Sequence, residues 1–160
     1  MTTTAHQTEI SADTDVPLVR ITREFDAPVD KVFKAHVDPD LIARWLGPRG
    51  MEMRVESYDC RTGGAYRYVH GRDGEEYAFH GSFHEVRPSA LIVQTFTFGG
   101  APDGVALERL TFEDLGGGRT RLTATSLVDS FADRDAMLAS GMETGIVEGY
   151  ERLDEVLATA

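Results

Sequence analysis

A chain of 160 residues is long enough for one domain with a real core, since folding at that size hides roughly 68–70% of the surface the unfolded chain exposes. Its composition, 41% apolar and 27% charged, is that of a globular chain rather than a disordered one. Sixteen Lys and Arg stand against 27 Asp and Glu, a net charge of −11 that excludes non-specific nucleic-acid binding and docking onto an anionic membrane. One cysteine, Cys60, excludes an intrachain disulfide framework and a thiolate zinc cluster. No apolar run approaches the ~18 residues of a membrane span. The opening MTTTAHQTEISADTDV has neither the basic nor the apolar region of an export signal, which points to a cytoplasmic protein.

Residues 1–15 are Thr-rich and acidic, with Ala5 and Ile10 as their aliphatic side chains, and read as a disordered tail. The rest, 16–160, reads as one domain. Val16 to Phe25 is a strand in which Val19, Ile21 and Phe25 alternate with Arg20, Thr22 and Glu24. Asp26-Ala27-Pro28 starts a helix with Val29, Val32, Phe33, His36 and Val37 on its apolar face. Asp38-Pro39 starts a second, short helix carrying Leu41, Ile42, Trp45 and Leu46, and Gly47-Pro48 stops it. Strands are predicted over 51–58, 65–70, 75–87, 90–98, 105–114 and 119–128, with short Gly- and Pro-rich separators that make neighbours antiparallel. A long helix from about Asp133 to Leu157, capped by Ser130, closes the chain. The order describes an α+β domain: a curved antiparallel sheet of six to seven strands, two short helices after the first strand, and a long C-terminal helix gripped by the sheet.

Hairpin pairing assigns the faces. A turn at 71–74 pairs His70 with Glu75, Tyr68 with Tyr77 and Tyr66 with Phe79. A tight turn at Pro88-Ser89 pairs Arg87 with Ala90 and hence Phe79 with Phe98. Opposed residues share a face, so Tyr66, Tyr68, Tyr77, Phe79, Phe83, Phe96 and Phe98 collect on one side. Arg67, His80, Ser82, His84, Thr95 and Thr97 take the other. The aromatic side is expected to be concave and covered by the last helix. Gly141, Gly145 and Gly149 recur every four residues there, each costing about 0.8–1 kcal/mol relative to Ala. They serve either close helix packing or room for a ligand.

Catalytic signatures are missing: the chain has no G-x-G-x-x-G, G-x-x-x-x-G-K-[ST], C-x-x-C, H-E-x-x-H or G-x-S-x-G. Nothing in it calls for a cofactor or a metal. His80 and His84 are ~13 Å apart along a strand, too far to share a zinc ion. Asp59 beside Cys60 would raise the thiol pKa and blunt it as a nucleophile. His36 reads first as a core histidine and, should it border a cavity, as a polar anchor or general base.

Several segments in order resemble the SRPBCC superfamily, also called START-like or helix-grip. They are VRITREFDAPVDKVF (19–33), DPDLIARWLGP (38–48), GGAYRY (63–68), GSFHEVRPSALIVQTF (81–96) and LTFEDLGGGRTRLT (110–123). Within it the chain is similar to the group of the C-terminal domain of the activator of the 90-kDa heat-shock chaperone ATPase. The resemblance covers about residues 17–158. It departs at Tyr150, where many relatives carry Trp, and lacks the N-terminal domain of the eukaryotic activator. It implies a cavity between sheet and C-terminal helix, walled by Trp45, Tyr66, Tyr68, Phe79, Phe96, Met142 and Tyr150, with His36 beside them. Most of these side chains also belong to the face obtained from hairpin pairing.

Three functions follow as expectations. The first is a binding protein for a small hydrophobic or aromatic molecule, monomeric or weakly dimeric. The second is a chaperone- or stress-related regulator that meets a protein partner through its acidic surface. The third is a polyketide cyclase- or hydrolase-like enzyme using His36, Tyr66 or Tyr68. Seven of the nine charges from Asp133 to Glu155 are acidic, while the expected cavity wall carries no formal charge.

Overall fold

The computed structural model describes residues 6–159. One eight-stranded antiparallel sheet, in the order β1-β2-β8-β7-β6-β5-β4-β3, curves around the helices. Its strands are β1 (Glu9–Ala12), β2 (Leu18–Phe25), β3 (Glu52–Tyr58), β4 (Ala65–Arg72), β5 (Glu75–Arg87), β6 (Leu91–Phe98), β7 (Ala106–Gly116) and β8 (Arg119–Leu127). The helices are α1 (Val29–Val37), α2 (Pro39–Ile42), α3 (Phe131–Ala139) and α4 (Met142–Thr159). This is the helix-grip arrangement, with one strand more than the six to seven expected.

The additional strand corrects the reading of residues 1–15 as a disordered tail, of which 1–5 lie outside the described residues. β1 pairs with β2 through Glu9–Thr22, Ile10–Ile21, Ser11–Arg20 and Ala12–Val19. Its single large aliphatic side chain, Ile10, packs on the core. The buried Arg134 of α3 donates to the backbone oxygens of Asp13 and Leu18 at 2.7 and 3.2 Å, which pins the β1–β2 turn. One inward aliphatic residue and a buried guanidinium fix a segment whose composition alone favours solvent.

The long closing helix is also corrected, because it is broken in two. Ser130 Oγ accepts from the Asp133 N–H as the expected cap, but α3 ends at Ala139 and Gly141 adopts φ +88° before α4 begins. That left-handed backbone is the helix-ending conformation glycine takes without penalty. The three glycines therefore do not form one stripe.

Register follows turn chemistry. Asp73 and Gly74 both have positive φ, 53° and 84°, a two-residue hairpin turn whose twist suits the flanking strands. It pairs Arg72 with Glu75, Tyr68 with Phe79 and Tyr66 with Gly81, two residues from the expected register. An even slip leaves every side chain on its face. At the next turn Arg87 pairs with Leu91 rather than Ala90, and a bulge between Phe83 and Glu85 restores the expected Phe79–Phe98 pair.

The inner face of the sheet and the helices enclose one core, in which Val19, Phe25, Val32, Phe83, Ile92, Leu122 and Leu153 are at most 2% exposed. α1 packs on β7 and β8, whereas α4 packs against α1 and α3.

Candidate functional site

Tyr66 sets the floor of the concave face. Its ring lies over Gly81, where a Cβ would stand 2.7 Å from the ring and 2.0 Å from Thr95 O. The Tyr66 hydroxyl donates to that same Thr95 carbonyl at 2.7 Å. From Tyr66 a stack runs along the sheet: Tyr68 at 5.9 Å, Phe79 at 5.4 Å from Tyr68, and Phe96 at 5.3 Å from Phe79. Across from it, Trp45 stacks on Tyr150 at 6.0 Å and donates its indole N–H to Ala35 O at 2.9 Å. Met142 and Ile146 of α4 lie half-buried against the same core.

His36 belongs to the core rather than to this wall. Its Nδ1 donates to Val32 O at 2.8 Å, and Trp45 and Phe112 meet its ring edge-on. The Nε2 atom is enclosed without a hydrogen-bond partner. Burial pushes the imidazole down to about 4, so it is neutral at physiological pH, with its lone pair facing rings rather than open space.

The glycines of α4 make close packing, not ligand space. A Cβ at Gly149 would meet Gly47 N and Trp45 O, both at 3.3 Å, and one at Gly145 would meet Pro48 Cδ at 3.4 Å. Both face the 45–48 turn. The Arg49 backbone N–H donates to Glu148, and the Arg49 side chain pairs with Glu155 at 2.8 Å. Part of the acidic face of α4 thus holds this turn in place.

The interior does carry formal charge, which corrects the expectation of an uncharged wall. On β2, Arg23 shares the inner face with Val19, Ile21 and Phe25, is 1% exposed, and binds Asp154 of α4 through two hydrogen bonds. On β7, Glu108 alternates in step with the inward Ala106, Leu110 and Phe112. Cross-strand pairing sets Gln94 on one side of it and Ser126 on the other. Gln94 Nε2 donates to its carboxylate at 3.0 Å, and Ser126 Oγ is buried beside it without an aligned hydrogen bond.

The protein around Glu108 desolvates its carboxyl and pushes the pKa up. Yet the side chain is only half-buried, as are Gln94, Phe96 and Phe79 on the same face. Half-buried side chains on the concave face mean that the helices do not cover that face completely. Tyr66, Tyr68 and Tyr150 all have phenol pKa values raised first by burial and then by the Glu108 charge. Tyr68 and Tyr150 are 6% and 8% exposed, and among the described residues neither hydroxyl has a hydrogen-bond partner. Sequence reasoning missed Glu108 because a charge on a strand reads as solvated. The signal was its phase with Leu110 and Phe112.

The remaining candidates lie apart. His80 and His84 are exposed on the outer face. Burial, then Asp59, pushes the Cys60 thiol up to about 12, which leaves it unreactive. Among the described residues no three His, Cys, Asp or Glu side chains are grouped to hold a metal ion, and no helix is long and apolar enough to cross a membrane.

This geometry coincides with a family match over residues 26–158 to the group described as "Activator of Hsp90 ATPase homolog 1-like protein". The chain belongs to that family. A protein from Arthrobacter aurescens, solved by NMR, is 28% identical with a TM-score of 0.86, covering 95% of this chain and 92% of its own. A crystal structure from Rhodobacter sphaeroides is 27% identical with a TM-score of 0.85, covering 94% and 98%. One from Mycobacterium smegmatis is 26% identical with a TM-score of 0.84, covering 94% and 96%. No curated protein matches the chain significantly.

Proposed function

We propose that the protein binds a small hydrophobic or aromatic molecule in the recess between the concave sheet face and the helices α3 and α4. The observation that carries this reading is a set of side chains on the concave face that are only half-buried, Phe79, Phe96, Gln94 and Glu108. A face built only to fill a core would exclude solvent from them. Tyr66, Tyr68, Phe79 and Phe96 supply one aromatic wall, and Trp45, Tyr150 and Met142 the other. Apolar walls with a few convergent polar groups are the usual makeup of a small-molecule site.

Native mass spectrometry of the protein purified from its own cells tests the proposal. The expected result is an adduct of small-molecule mass that disappears on denaturation. Apo protein throughout, with Trp45 emission unmoved by naphthalene derivatives, overturns it.

A second reading, acid–base catalysis of the cyclase kind, is favoured by Glu108 itself. A carboxyl with a raised pKa beside free phenol hydroxyls can move a proton to or from a bound carbonyl compound. In that case Glu108→Gln and Tyr68→Phe abolish turnover while a neutral ligand still binds.

A further inference from the structure

We infer that the molecule held in this recess is an organic cation, an aromatic or otherwise apolar frame carrying one positively charged nitrogen, and that Glu108 is its counter-ion. This rests on the binding reading above and specifies its chemistry.

The inference follows from what surrounds Glu108. Its carboxylate meets only neutral polar groups, the Gln94 amide that donates to it at 3.0 Å and the Ser126 hydroxyl beside it, and makes no ion pair among the described residues. The two buried arginines are committed elsewhere: Arg23 to Asp154 at 3.0 and 2.6 Å and to the Glu24 carbonyl at 2.7 Å, Arg134 to the Asp13 and Leu18 carbonyls and to Asp135. The two buried imidazoles, His36 and His70, are both shifted toward the neutral form by burial. The groups that feel the Glu108 charge are Tyr66, Tyr68 and Tyr150, which offer hydroxyls and electron-rich ring faces but no positive charge.

A partly desolvated carboxylate without a cation is costly, and such groups are normally paired. Aromatic faces attract cations, more strongly as water is withdrawn. A carboxylate whose charge reaches three tyrosines and no cation therefore discriminates by charge: it favours an ammonium, tolerates a neutral hydroxyl and rejects an anion. The free hydroxyls of Tyr68 and Tyr150 add acceptors for N–H groups.

Three probes of one shape read this out at neutral pH through Trp45, the single tryptophan: naphthalen-1-ylmethanamine, naphthalen-1-ylmethanol and 1-naphthoic acid. The amine is expected to bind at least tenfold more tightly than the alcohol, and the acid more weakly than either. Glu108→Gln, which keeps the shape and the Gln94 contact, is expected to bring the amine to within threefold of the alcohol and leave the alcohol unchanged. Glu108→Ala is the second variant and is expected to erase the same preference. Equal binding of amine and alcohol by the native protein overturns the cation inference and leaves the binding reading standing. Failure of all three probes to bind overturns the binding reading itself.

Discussion

Arg23 on β2 and Asp154 on α4 meet through paired hydrogen bonds of 3.0 and 2.6 Å, with the guanidinium 1% exposed and the carboxylate at the rim. The pair ties the sheet to the closing helix, and the Arg23 guanidinium also lies 4.9 Å from the Phe25 ring centroid. Removing one partner strands a buried charge, which typically costs about 3–5 kcal/mol, whereas replacing both with apolar groups is often neutral. Asp154→Ala is expected to lose about 3 kcal/mol, the low end, because Asp154 is itself 37% exposed. Arg23→Met combined with Asp154→Leu is expected to recover most of that loss. Urea unfolding of Asp154→Ala and of the double variant beside the native protein checks both expectations.

The buried imidazole of His36 makes stability pH-dependent in a defined direction. Its pKa falls from 6.5 to about 4 on folding, so between those values the unfolded chain binds the proton and the folded chain does not. Stability is whole above about pH 6.5 and declines as the pH falls toward 4, losing about 2 kcal/mol between pH 7 and pH 5. His36→Gln lowers stability at pH 7 but flattens that slope. Comparing variant with native protein cancels the contributions of His70 and Glu108. Melting temperatures of the two proteins at pH 5, 6 and 7 give the result, and parallel curves would count against the assignment.

Glu108 carries the opposite sign. Its raised pKa means the fold favours the protonated carboxyl, so its contribution is greatest at low pH and is lost as pH rises through the folded value. Glu108→Gln, neutral at every pH and still able to accept from Gln94, is expected to stabilise the free protein at pH 7. The gain is about 1 kcal/mol, or roughly 2–4 °C in Tm for a chain this size. It shrinks as the pH is lowered toward 4. A residue whose removal stabilises the fold is retained for what it does rather than for what it holds together. Scanning calorimetry at pH 7 and pH 4 decides it, and a lower Tm at pH 7 would make Glu108 a structural group.

Much of this was legible in the sequence, and the failures have particular causes. The aromatic wall could be read because side chains alternate with period two and the β4–β5 error was an even number of residues. Arg23 and Glu108 were visible in phase, the first with Val19, Ile21 and Phe25, the second with Leu110 and Phe112. Charge argued for solvent, and only a partner 131 positions away, Asp154, accounts for a buried Arg23. The break at Gly141 could not be told from a glycine inside a helix, because only the backbone φ of +88° distinguishes them. β1 stayed hidden because its pairing with β2 and its tie to Arg134 are tertiary contacts that local composition does not encode.

The two glycines inside α4 look alike in sequence and are expected to behave differently. Either, changed to Ala, gains up to about 1 kcal/mol of helix propensity. At Gly145 the new Cβ meets the Pro48 ring at 3.4 Å, an ordinary contact, so Gly145→Ala is expected to be neutral or stabilising. At Gly149 it meets two backbone atoms of the 45–48 turn at 3.3 Å. That turn has little room to retreat, since Trp45 is fixed by its bond to Ala35 O and Gly47, at φ +98°, lies against the His70 ring. Overpacking at such a place costs about 1–3 kcal/mol, so Gly149→Ala is expected to be a net loss of about 1 kcal/mol. Chemical denaturation of the two variants side by side checks the contrast. Equal effects would mean that the turn yields and that α4 is not held at a fixed distance from it.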